Sequence, residues 1–236
     1  MKPRSTTTAR FFCGTIPSQG AEATLDREES HHATKVLRMT AGDAVDLVDG
    51  RGTLAHGSLA RVDAKATIVR IDEHRTVAAR NGVTLAFGIT KGAALDFIVH
   101  RLTELGVAEM VPLLTDHSLA PKEWNEERWM RVLRETAKQC QETWFPKLHA
   151  PISLTEFLKT QLGKRFAVCD EADRNVSSLD RISTVLVGPE GGWSSDERRQ
   201  FGQLQVPLLG LGANRLRAET AAVAAAVLAK RALGEL

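Results

Sequence analysis

The nine residues VLVGPEGGW, Val185–Trp193, are the most informative part of the chain, because they join an apolar strand directly to a glycine-rich turn. Ser194 and Glu197 follow at the spacing of a capping box, so a helix is expected immediately after the turn. A buried strand, a short turn and a helix in this order are typical of an α/β fold with a parallel sheet. In such sheets ligands bind beyond the carboxyl ends of the strands, where this turn lies.

A second turn of the same kind lies in LLGLG, Leu208–Gly212. Glycine has no Cβ, so main-chain groups in both turns can approach a ligand closely. Leu209, Leu211 and Leu216 would supply apolar walls. No Gly-Lys-Ser/Thr follows, which excludes a P-loop, and the third glycine of a dinucleotide fingerprint is missing. Two interpretations stay open: ordinary strand-to-helix turns, or a pocket for a nucleotide-like ligand.

Strands and helices alternate from residue 83 onward, which predicts a mostly parallel sheet covered by helices on both faces. The predicted strands are Val83–Ile89, Phe166–Cys169, Thr184–Val187 and Val206–Leu209, and the predicted helices are Leu95–Leu105, Trp129–Cys140 and Glu219–Leu233. Gly106 is expected to close the first helix.

The N-terminal part of the chain has short apolar runs separated by turn residues, which predicts a small β-barrel. Its predicted strands are Ala44–Val48, Leu54–Val62 and Ala66–Ile71, and the polar stretch Asp72–Gly82 is the predicted linker. We therefore expect a β-barrel domain over residues 1–75 and an α/β domain over residues 76–236.

Composition excludes several classes of protein. Among 236 residues, 43% are hydrophobic and 25% charged, as in ordinary globular domains, and a net charge of +2 is too small for a non-specific nucleic-acid coat. Three widely spaced cysteines and no suitable ligand spacing predict neither disulfides nor a metal site, and favour a cytoplasmic location. The longest apolar run, Ala221–Ala229, is too short to cross a membrane.

Two groups of charged residues are candidates for function. Arg101 and Glu104 share the polar face of a predicted helix, where they would either form a surface pair or serve a site. The cationic or hydrogen-bonding groups that could contact phosphates are Arg4, Arg10, His31, His32, Lys35, Arg38 and Lys91. A merely solvated basic rim is the alternative for the N-terminal members of this set.

Eight segments together match one known family in the same order along the chain. They are Arg10–Phe12, His31–Met39, Gly42–Gly50, Lys91–Val107, Val111–Ser118, Arg128–Cys140, Val187–Glu197 and Leu209–Ala222. With these segments the chain resembles the 16S rRNA uracil-N3 methyltransferases, small-subunit type E, of the SPOUT superfamily. The combination of GPEGG and LRxETA carries most of the specificity.

The resemblance implies a PUA-like barrel followed by a trefoil-knotted methyltransferase domain, and a homodimer with its active site at the subunit interface. It implies S-adenosylmethionine as cofactor and 16S rRNA of the small ribosomal subunit as partner. The residues expected at the cofactor are Val187, Gly188, Pro189, Gly191, Gly192, Leu209, Gly210, Leu211, Gly212, Leu216 and Thr220. Those expected to be catalytic are Arg101, Glu104, Gln139, Glu190 and Arg217.

One residue departs from the pattern of the family. Glu142 is acidic where a basic residue usually follows the glutamine that matches Gln139.

Three alternative functions remain: methylation of another RNA position such as a ribose hydroxyl, an RNA-binding assembly factor without catalysis, and a generic nucleotide-binding enzyme.

Overall fold

The computed structural model describes residues 8–79, 82–118, 124–170 and 182–236. The chain forms two compact units, one of Met1–Ala79 with Arg134–Phe145 and the other of Arg80–Leu133 with Pro146–Leu236. The predicted domain boundary after residue 75 lies near the first change of unit. The return of residues 134–145 to the first unit was not predicted.

A mixed five-stranded sheet forms the first unit. Its strands are β1 (Ala9–Phe12), β2 (Glu22–Thr24), β3 (Ala44–Val48), β4 (Thr53–Arg61) and β5 (Ile68–Thr76). They lie in the order β1-β3-β4-β5-β2, and only the β1–β3 pair is parallel. Helix α1 (Arg27–His31) begins at Asp26, whose side chain accepts from the Glu29 amide at 2.8 Å, and a π-helical turn (His32–Val36) follows.

The predicted linker is wrong in its first half, because β5 continues to Thr76. The side chains of residues 72–76 are exposed, so no apolar pattern marks this part of the strand. Pairing of Thr53 with Thr76 and of Leu54 with Arg75 holds it to β4 instead. Main-chain hydrogen bonding therefore extends the strand where side-chain burial does not.

A parallel seven-stranded sheet forms the second unit. Its strands are β6 (Thr84–Gly88), β7 (Glu109–Leu114), β8 (Lys147–Leu148), β9 (Ile152–Ser153), β10 (Phe166–Cys169), β11 (Thr184–Val187) and β12 (Leu208–Leu209). They follow the order β12-β10-β11-β6-β7-β8, with β9 also beside β7. Every residue of β10 and β11 is buried, as expected for the centre of a parallel sheet.

Five helices begin in the described part of the second unit. They are α2 (Gly92–Glu104), α3 (Glu126–Gln139), α4 (Leu154–Thr160), α5 (Ser195–Gln203) and, at the end of the chain, α6 (Ala218–Ala232), of which α3 finishes in the first unit. The predicted closure of α2 is confirmed, since Gly106 follows the helix with a φ of 64°. None of the helices in the described ranges has the length and apolarity needed to span a bilayer.

Strand β12 is shorter than predicted and begins at Leu208 rather than Val206. Pro207 precedes it and has no N–H to donate to a neighbouring strand, although its carbonyl accepts from the Val168 amide at 3.1 Å. Since β10 lies between β11 and β12, the carboxyl ends of three adjacent strands meet at one edge.

Candidate active site

A cavity of about 580 Å³ opens at the carboxyl ends of β10, β11 and β12. Its lining comes from the segments that follow these three strands, from α5 and from the start of α6. This volume lies within the usual range of small-molecule sites, roughly 300–1,000 Å³. Both glycine-bearing turns border the same cavity, so the second of the two open interpretations, a ligand pocket, is the one the geometry favours.

The first glycine turn, residues 188–192, packs closely against a neighbouring strand. Gly192 has a φ of 69°, which glycine adopts readily. A Cβ at Gly88, at the end of β6, would lie 2.5 Å from Pro189 Cδ. The turn therefore packs directly on the neighbouring strand end, and there is no room between them for even one methyl group.

Trp193 and the helix that follows hold the end of this turn. The indole Nε1 donates to the Cys169 carbonyl at 2.8 Å, and the ring meets Phe201 edge to face at 5.1 Å. The capping box predicted for Ser194 and Glu197 is confirmed. Strand β10, the turn and α5 are thus joined by one buried side chain.

A loop after β7 supports the turn from another side. The Asp116 amide donates to Glu197 Oε1 at 3.0 Å, and Ser194 Oγ donates to Asp116 Oδ2 at 2.5 Å. The His117 ring lies against Gly191, where a Cβ would come within 2.8 Å of the His117 Cβ, and His117 Nδ1 is 3.1 Å from the Gly192 carbonyl. Since a carbonyl only accepts, this nitrogen carries a proton when the bond is made.

The charged side chains at the cavity include one tight ion pair. Asp170, directly after β10, accepts from Arg198 Nε at 2.8 Å and from Arg198 Nη2 at 3.1 Å. Arg215 donates at 3.5 Å to the Glu190 carbonyl, and Arg217 occupies the N-cap position of α6. Cations and anions therefore both border the cavity.

The thiol at the cavity wall is not a nucleophile at neutral pH. Burial, with a smaller contribution from the charge of Asp170, raises the pKa of Cys169 to about 12. A thiolate is the reactive form of cysteine, so covalent catalysis by Cys169 is disfavoured. Within the described ranges, no three metal-ligating side chains come together.

Comparison with known proteins agrees with this arrangement. A model of the RNA methyltransferase domain matches residues 78–230, and a model of the RNA methyltransferase PUA domain matches residues 25–72. The ribosomal RNA small subunit methyltransferase E of Synechocystis sp. is 30% identical over 230 residues, covering 87% of this chain and 72% of the relative.

The chain belongs to the ribosomal RNA small subunit methyltransferase E family.

Two further relatives align with almost the whole chain. The Bacillus subtilis methyltransferase E is 28% identical, and the alignment covers 90% of this chain and 92% of that protein. A methyltransferase of Legionella pneumophila, solved with its cofactor SAM bound, has a TM-score of 0.87 at 25% identity, over 96% of this chain and 98% of that one.

Most residues that the sequence assigned to the cofactor line the cavity of this methyltransferase E chain. They are Val187, Gly188, Pro189, Gly192, Leu209, Leu211, Gly212 and Leu216. Gly191, Gly210 and Thr220 are not among the lining residues. Gly191 instead faces His117, Gly210 is buried after β12, and Thr220 is exposed in the first turn of α6.

The four residues of the second unit that are expected to be catalytic do not form a single cluster. Glu190 and Arg217 line the cavity. Arg101 Nη1 pairs with Glu104 Oε2 at 2.7 Å on α2, so the surface-pair interpretation describes them within this chain. Gln139 is the exposed last residue of α3 and belongs to the first unit.

Arg101 and Glu104 lie outside the lining of the cavity for a geometric reason. Lys230, in the last turn of α6, donates to the Gly106 carbonyl just beyond α2 at 3.1 Å. Arg217 caps the other end of α6, thirteen residues away, or about 20 Å along a helix. Within one chain, Arg101 and Arg217 therefore lie near opposite ends of α6.

The residues expected to bind RNA differ in exposure. His31, Lys35, Arg38 and Lys91 are exposed. His32 is half-buried, with its ring 6.2 Å from that of Phe11. The Arg10 side chain is only 8% exposed and pairs with Asp46 at 3.0 Å, so its guanidinium is turned into the first unit rather than toward a phosphate. Arg4 lies outside the described residues.

Sequence reasoning missed several residues at the cavity. They are Cys169, Asp170, Trp193, Arg198, Ala213, Asn214, Arg215, Ala218 and Ala221. One signal for Asp170 was available, because an acidic residue directly after a buried parallel strand lies at the ligand-binding edge of the sheet. Arg198 had no such signal, since it stands on the charged surface pattern of a helix.

Proposed function

We propose that this protein transfers a methyl group from S-adenosylmethionine to N3 of a uridine in 16S ribosomal RNA of the small subunit. The observation that carries the proposal is the cavity where the two glycine turns meet, in a chain of the methyltransferase E family. The N3 position of a uridine is the finer part of the proposal and rests on the resemblance of the sequence.

The residues of the cavity suit this cofactor. Leu209, Leu211 and Leu216 offer apolar surface for the faces of an adenine ring, and main-chain groups of residues 187–192 and 209–212 can bind its polar edges. Gly212 has a φ of 118°, which glycine adopts readily, so it permits the backbone conformation of the second turn. When bound, S-adenosylmethionine would supply an electrophilic methyl group on its sulfonium sulfur.

Uracil N3 is a poor nucleophile until its proton leaves. A base must therefore take that proton as N3 accepts the methyl carbon, and cationic groups must stabilise the charge that spreads to O2 and O4. We assign the electrostatic role to Arg217, where the positive end of the α6 dipole adds to its charge. Glu190, exposed at the rim of the cavity, is a candidate proton acceptor.

We propose that Arg101 and Glu104 act in a homodimer, because within one chain they lie outside the lining of the cavity. In the proposed dimer, with its active site at the subunit interface, they would approach the uracil from the partner subunit, with Glu104 as the alternative base. Gln139 is assigned to the same substrate side. The target N3 lies on the pairing edge of the base, so the uridine must be unpaired or flipped out.

The first unit is proposed to hold the RNA. Exposed cationic or hydrogen-bonding groups on it, His31, Lys35 and Arg38, would contact phosphates and set the register of the RNA, together with Lys91 on the second unit.

The proposal includes a finer fold assignment, a PUA-like barrel in residues 1–75 followed by a SPOUT domain with a trefoil knot in residues 76–236. It also includes a cytoplasmic location, where the ribosomal substrate is found.

Methylation of purified small ribosomal subunits with labelled S-adenosylmethionine tests the proposal. We expect label in 16S rRNA and, after nuclease digestion and mass spectrometry, 3-methyluridine at a single position. Free 16S rRNA serves as the comparison substrate. Label in a ribose hydroxyl or in another base would overturn the N3 assignment, and absence of label in any RNA would overturn the proposed activity.

A further inference from the structure

Two adjacent apolar side chains are exposed on the first unit. Val36 is 61% exposed and Leu37 is 44% exposed. Among the large apolar side chains that are exposed in the described residues, only these two are neighbours in sequence. Single exposed apolar residues are ordinary on protein surfaces, whereas apolar patches rimmed by polar groups mark contact surfaces. We call Val36 and Leu37 the apolar tip.

The apolar tip lies at the end of a π-helical turn. The Leu37 amide donates to the His32 carbonyl, five residues back, at 3.0 Å. In a regular α-helix Leu37 would share a face with Ala33, which is completely buried. The wider turn accompanies the exposure of a leucine that regular helical geometry would direct toward the core. Since π-helical turns are rare and frequently occur at functional sites, this turn supports a role for the tip.

Local hydrogen bonds fix the segment that carries the tip. Thr34 Oγ1 donates to the Ser30 carbonyl at 2.9 Å, and the Met39 amide donates to the Ala33 carbonyl at 3.0 Å. Arg38 has a φ of 53°, a conformation that residues other than glycine rarely adopt and that persists only where the surrounding structure determines it. The tip is thus ordered before a partner binds, which reduces the entropy lost on binding.

Cationic side chains lie on both sides of the apolar tip in the sequence. Lys35 precedes it and Arg38 follows it, and both are exposed. Residues 31–42 contain no acidic side chain. The segment therefore combines apolar surface with positive charge, and it matches a partner that combines apolar surface with negative charge.

RNA meets both requirements better than a protein does. Each nucleotide carries an anionic phosphate and a base with apolar faces, and the bases of unpaired segments are accessible to side chains. Apolar side chains such as leucine insert beside bases when other groups of the protein hold the neighbouring phosphates. A stable protein interface buries about 1,200–2,000 Å², which is more than two apolar side chains supply.

We propose that Val36 and Leu37 contact an unpaired base of the small-subunit rRNA, while Lys35 and Arg38 bind the phosphates on either side of it. The inference rests on the proposed function, because it takes rRNA of the small subunit as the substrate. It adds an apolar contact with a base, and base contacts determine where on the RNA a protein binds.

Binding to purified small ribosomal subunits at several salt concentrations tests the inference. We expect the double variant Val36→Ser/Leu37→Ser to bind about 10- to 100-fold more weakly than wild type, because it removes the apolar surface that the base covers. The slope of log affinity against log salt concentration should not change, because both phosphate contacts remain. Lys35→Gln should instead make that slope shallower by about 0.7–0.9, the value of one phosphate contact.

Chemical probing of the bound rRNA identifies the partner of the tip. Dimethyl sulfate and a carbodiimide together report the accessibility of all four bases. We expect wild type to protect one or a few unpaired bases that Val36→Ser/Leu37→Ser leaves reactive. Both complexes are probed at saturating protein concentrations, so the difference in affinity does not affect the comparison.

Leu162→Ser/Leu204→Ser is the matched control. These leucines are 64% and 40% exposed, like the residues of the apolar tip, but they belong to the second unit. We expect wild-type affinity and wild-type base protection, and thermal unfolding should show both double variants folded. If Val36→Ser/Leu37→Ser does not fold, the single variant Val36→Ser at the more exposed position replaces it and should bind about 3- to 10-fold more weakly than wild type.

Weaker binding with an unchanged salt slope and lost base protection supports the inference. Unchanged affinity would overturn it. Weaker binding with a shallower slope would overturn it as well, since the loss would then come from displaced cations. Weaker binding with unchanged base protection would mean that the tip contacts a ribosomal protein, which also contradicts the inference.

Methylation of the same subunits by wild type separates this inference from the proposed function. If wild type methylates them, the proposed function stands whatever the tip variants do. If wild type binds them without methylation, the proposed activity fails and the binding results still decide the role of the tip. If wild type neither binds nor methylates them, both proposals fail.

Discussion

Lys138 donates from Nζ to Glu29 Oε1 at 2.6 Å, joining the end of α3 to α1 across 109 residues of sequence. Both side chains are less than 9% exposed, and Lys138 also lies 2.7 Å from the more exposed Glu135. Burial raises the pKa of Glu29 against the attraction of Lys138. Burial alone would lower the pKa of Lys138, but the charge of Glu29 and the hydrogen bonds to both carboxylates offset this and raise it.

We expect Lys138→Met to lower the free energy of unfolding by about 3–5 kcal/mol at neutral pH, because it leaves the buried Glu29 carboxylate without a counter-charge. The loss should shrink as the pH falls. The pKa of Glu29 is higher in the folded protein than in the unfolded one. The stability that this group contributes is therefore complete below its unfolded pKa and is lost as the pH rises through its folded pKa. In acid Glu29 is neutral, and its burial without Lys138 costs less. Urea unfolding near neutral pH and near the ordinary glutamate pKa measures the difference.

Two controls separate this effect from lost packing. Glu29→Gln in the Lys138→Met background should recover most of the loss, since it removes the unpaired charge. Glu135→Gln should cost no more than about 1 kcal/mol, because that carboxylate is 48% exposed. A loss in Lys138→Met that does not change with pH would contradict the argument.

The strands that the sequence predicted best are short and mostly buried: β3, β10 and β11 match their predicted bounds residue for residue, and all of their residues except Ala44 are buried. Phe166–Cys169 has four consecutive apolar residues and Thr184–Val187 has three after a β-branched threonine, and such short runs fit buried strands of a parallel sheet. Strand β7 was not predicted, and Pro112 within it argues against a strand by local rules. Strands β8 and β9, at two residues each, are too short to leave a pattern.

The candidate site was predictable where local chemistry defines it and not where distant segments meet. Glycines and leucines in the two turns mark their own function, since turn conformation and apolar walls are properties of the segment itself. The Asp170–Arg198 pair joins residues 28 apart, and only the packing of α5 against the end of β10 brings them together. The pairing of Lys138 with Glu29, which ties residues 134–145 to the first unit, is equally non-local.

Gly88→Ala should disturb the first glycine turn without touching a ligand. The added Cβ would lie 2.5 Å from Pro189 Cδ and 2.6 Å from Pro189 N, so the turn must move. We expect stability to fall by about 1–3 kcal/mol, as for other overpacked sites, and affinity for S-adenosylhomocysteine to fall at least about tenfold, equivalent to 1.4 kcal/mol. Thermal unfolding and calorimetry measure the two effects.

Gly92→Ala is the matched control for this variant. Gly92 is four residues further on, begins α2, and has open space around the position of an added Cβ. We expect unchanged ligand affinity and equal or slightly higher stability, since alanine lowers the entropy of the unfolded chain. If Gly88→Ala binds ligand as well as Gly92→Ala does, contact with Pro189 does not shape the site.

Arg217→Ala should separate binding from chemistry. The side chain is exposed at the N-cap position of α6 and makes no capping hydrogen bond, so its loss should leave the fold intact. If its charge stabilises the uracil anion, the methylation rate should fall about 10²- to 10³-fold while cofactor affinity changes little. Single-turnover methylation of small subunits measures the rate, with Arg199→Ala as the control. Near wild-type turnover would remove Arg217 from the mechanism.

Glu142, which is acidic where the resemblance of the sequence implies a basic residue, has a structural role within this chain. Its Oε1 accepts from the Thr143 amide at 3.0 Å and from the Trp144 amide at 3.5 Å, in the turn after α3. We expect Glu142→Lys to lower the free energy of unfolding by about 1 kcal/mol, because lysine cannot accept these bonds. Glu142→Gln keeps an acceptor oxygen and should cost less than half as much. Urea unfolding followed by tryptophan fluorescence compares the variants, and equal stability of Glu142→Lys and wild type would show that the turn does not depend on this carboxylate.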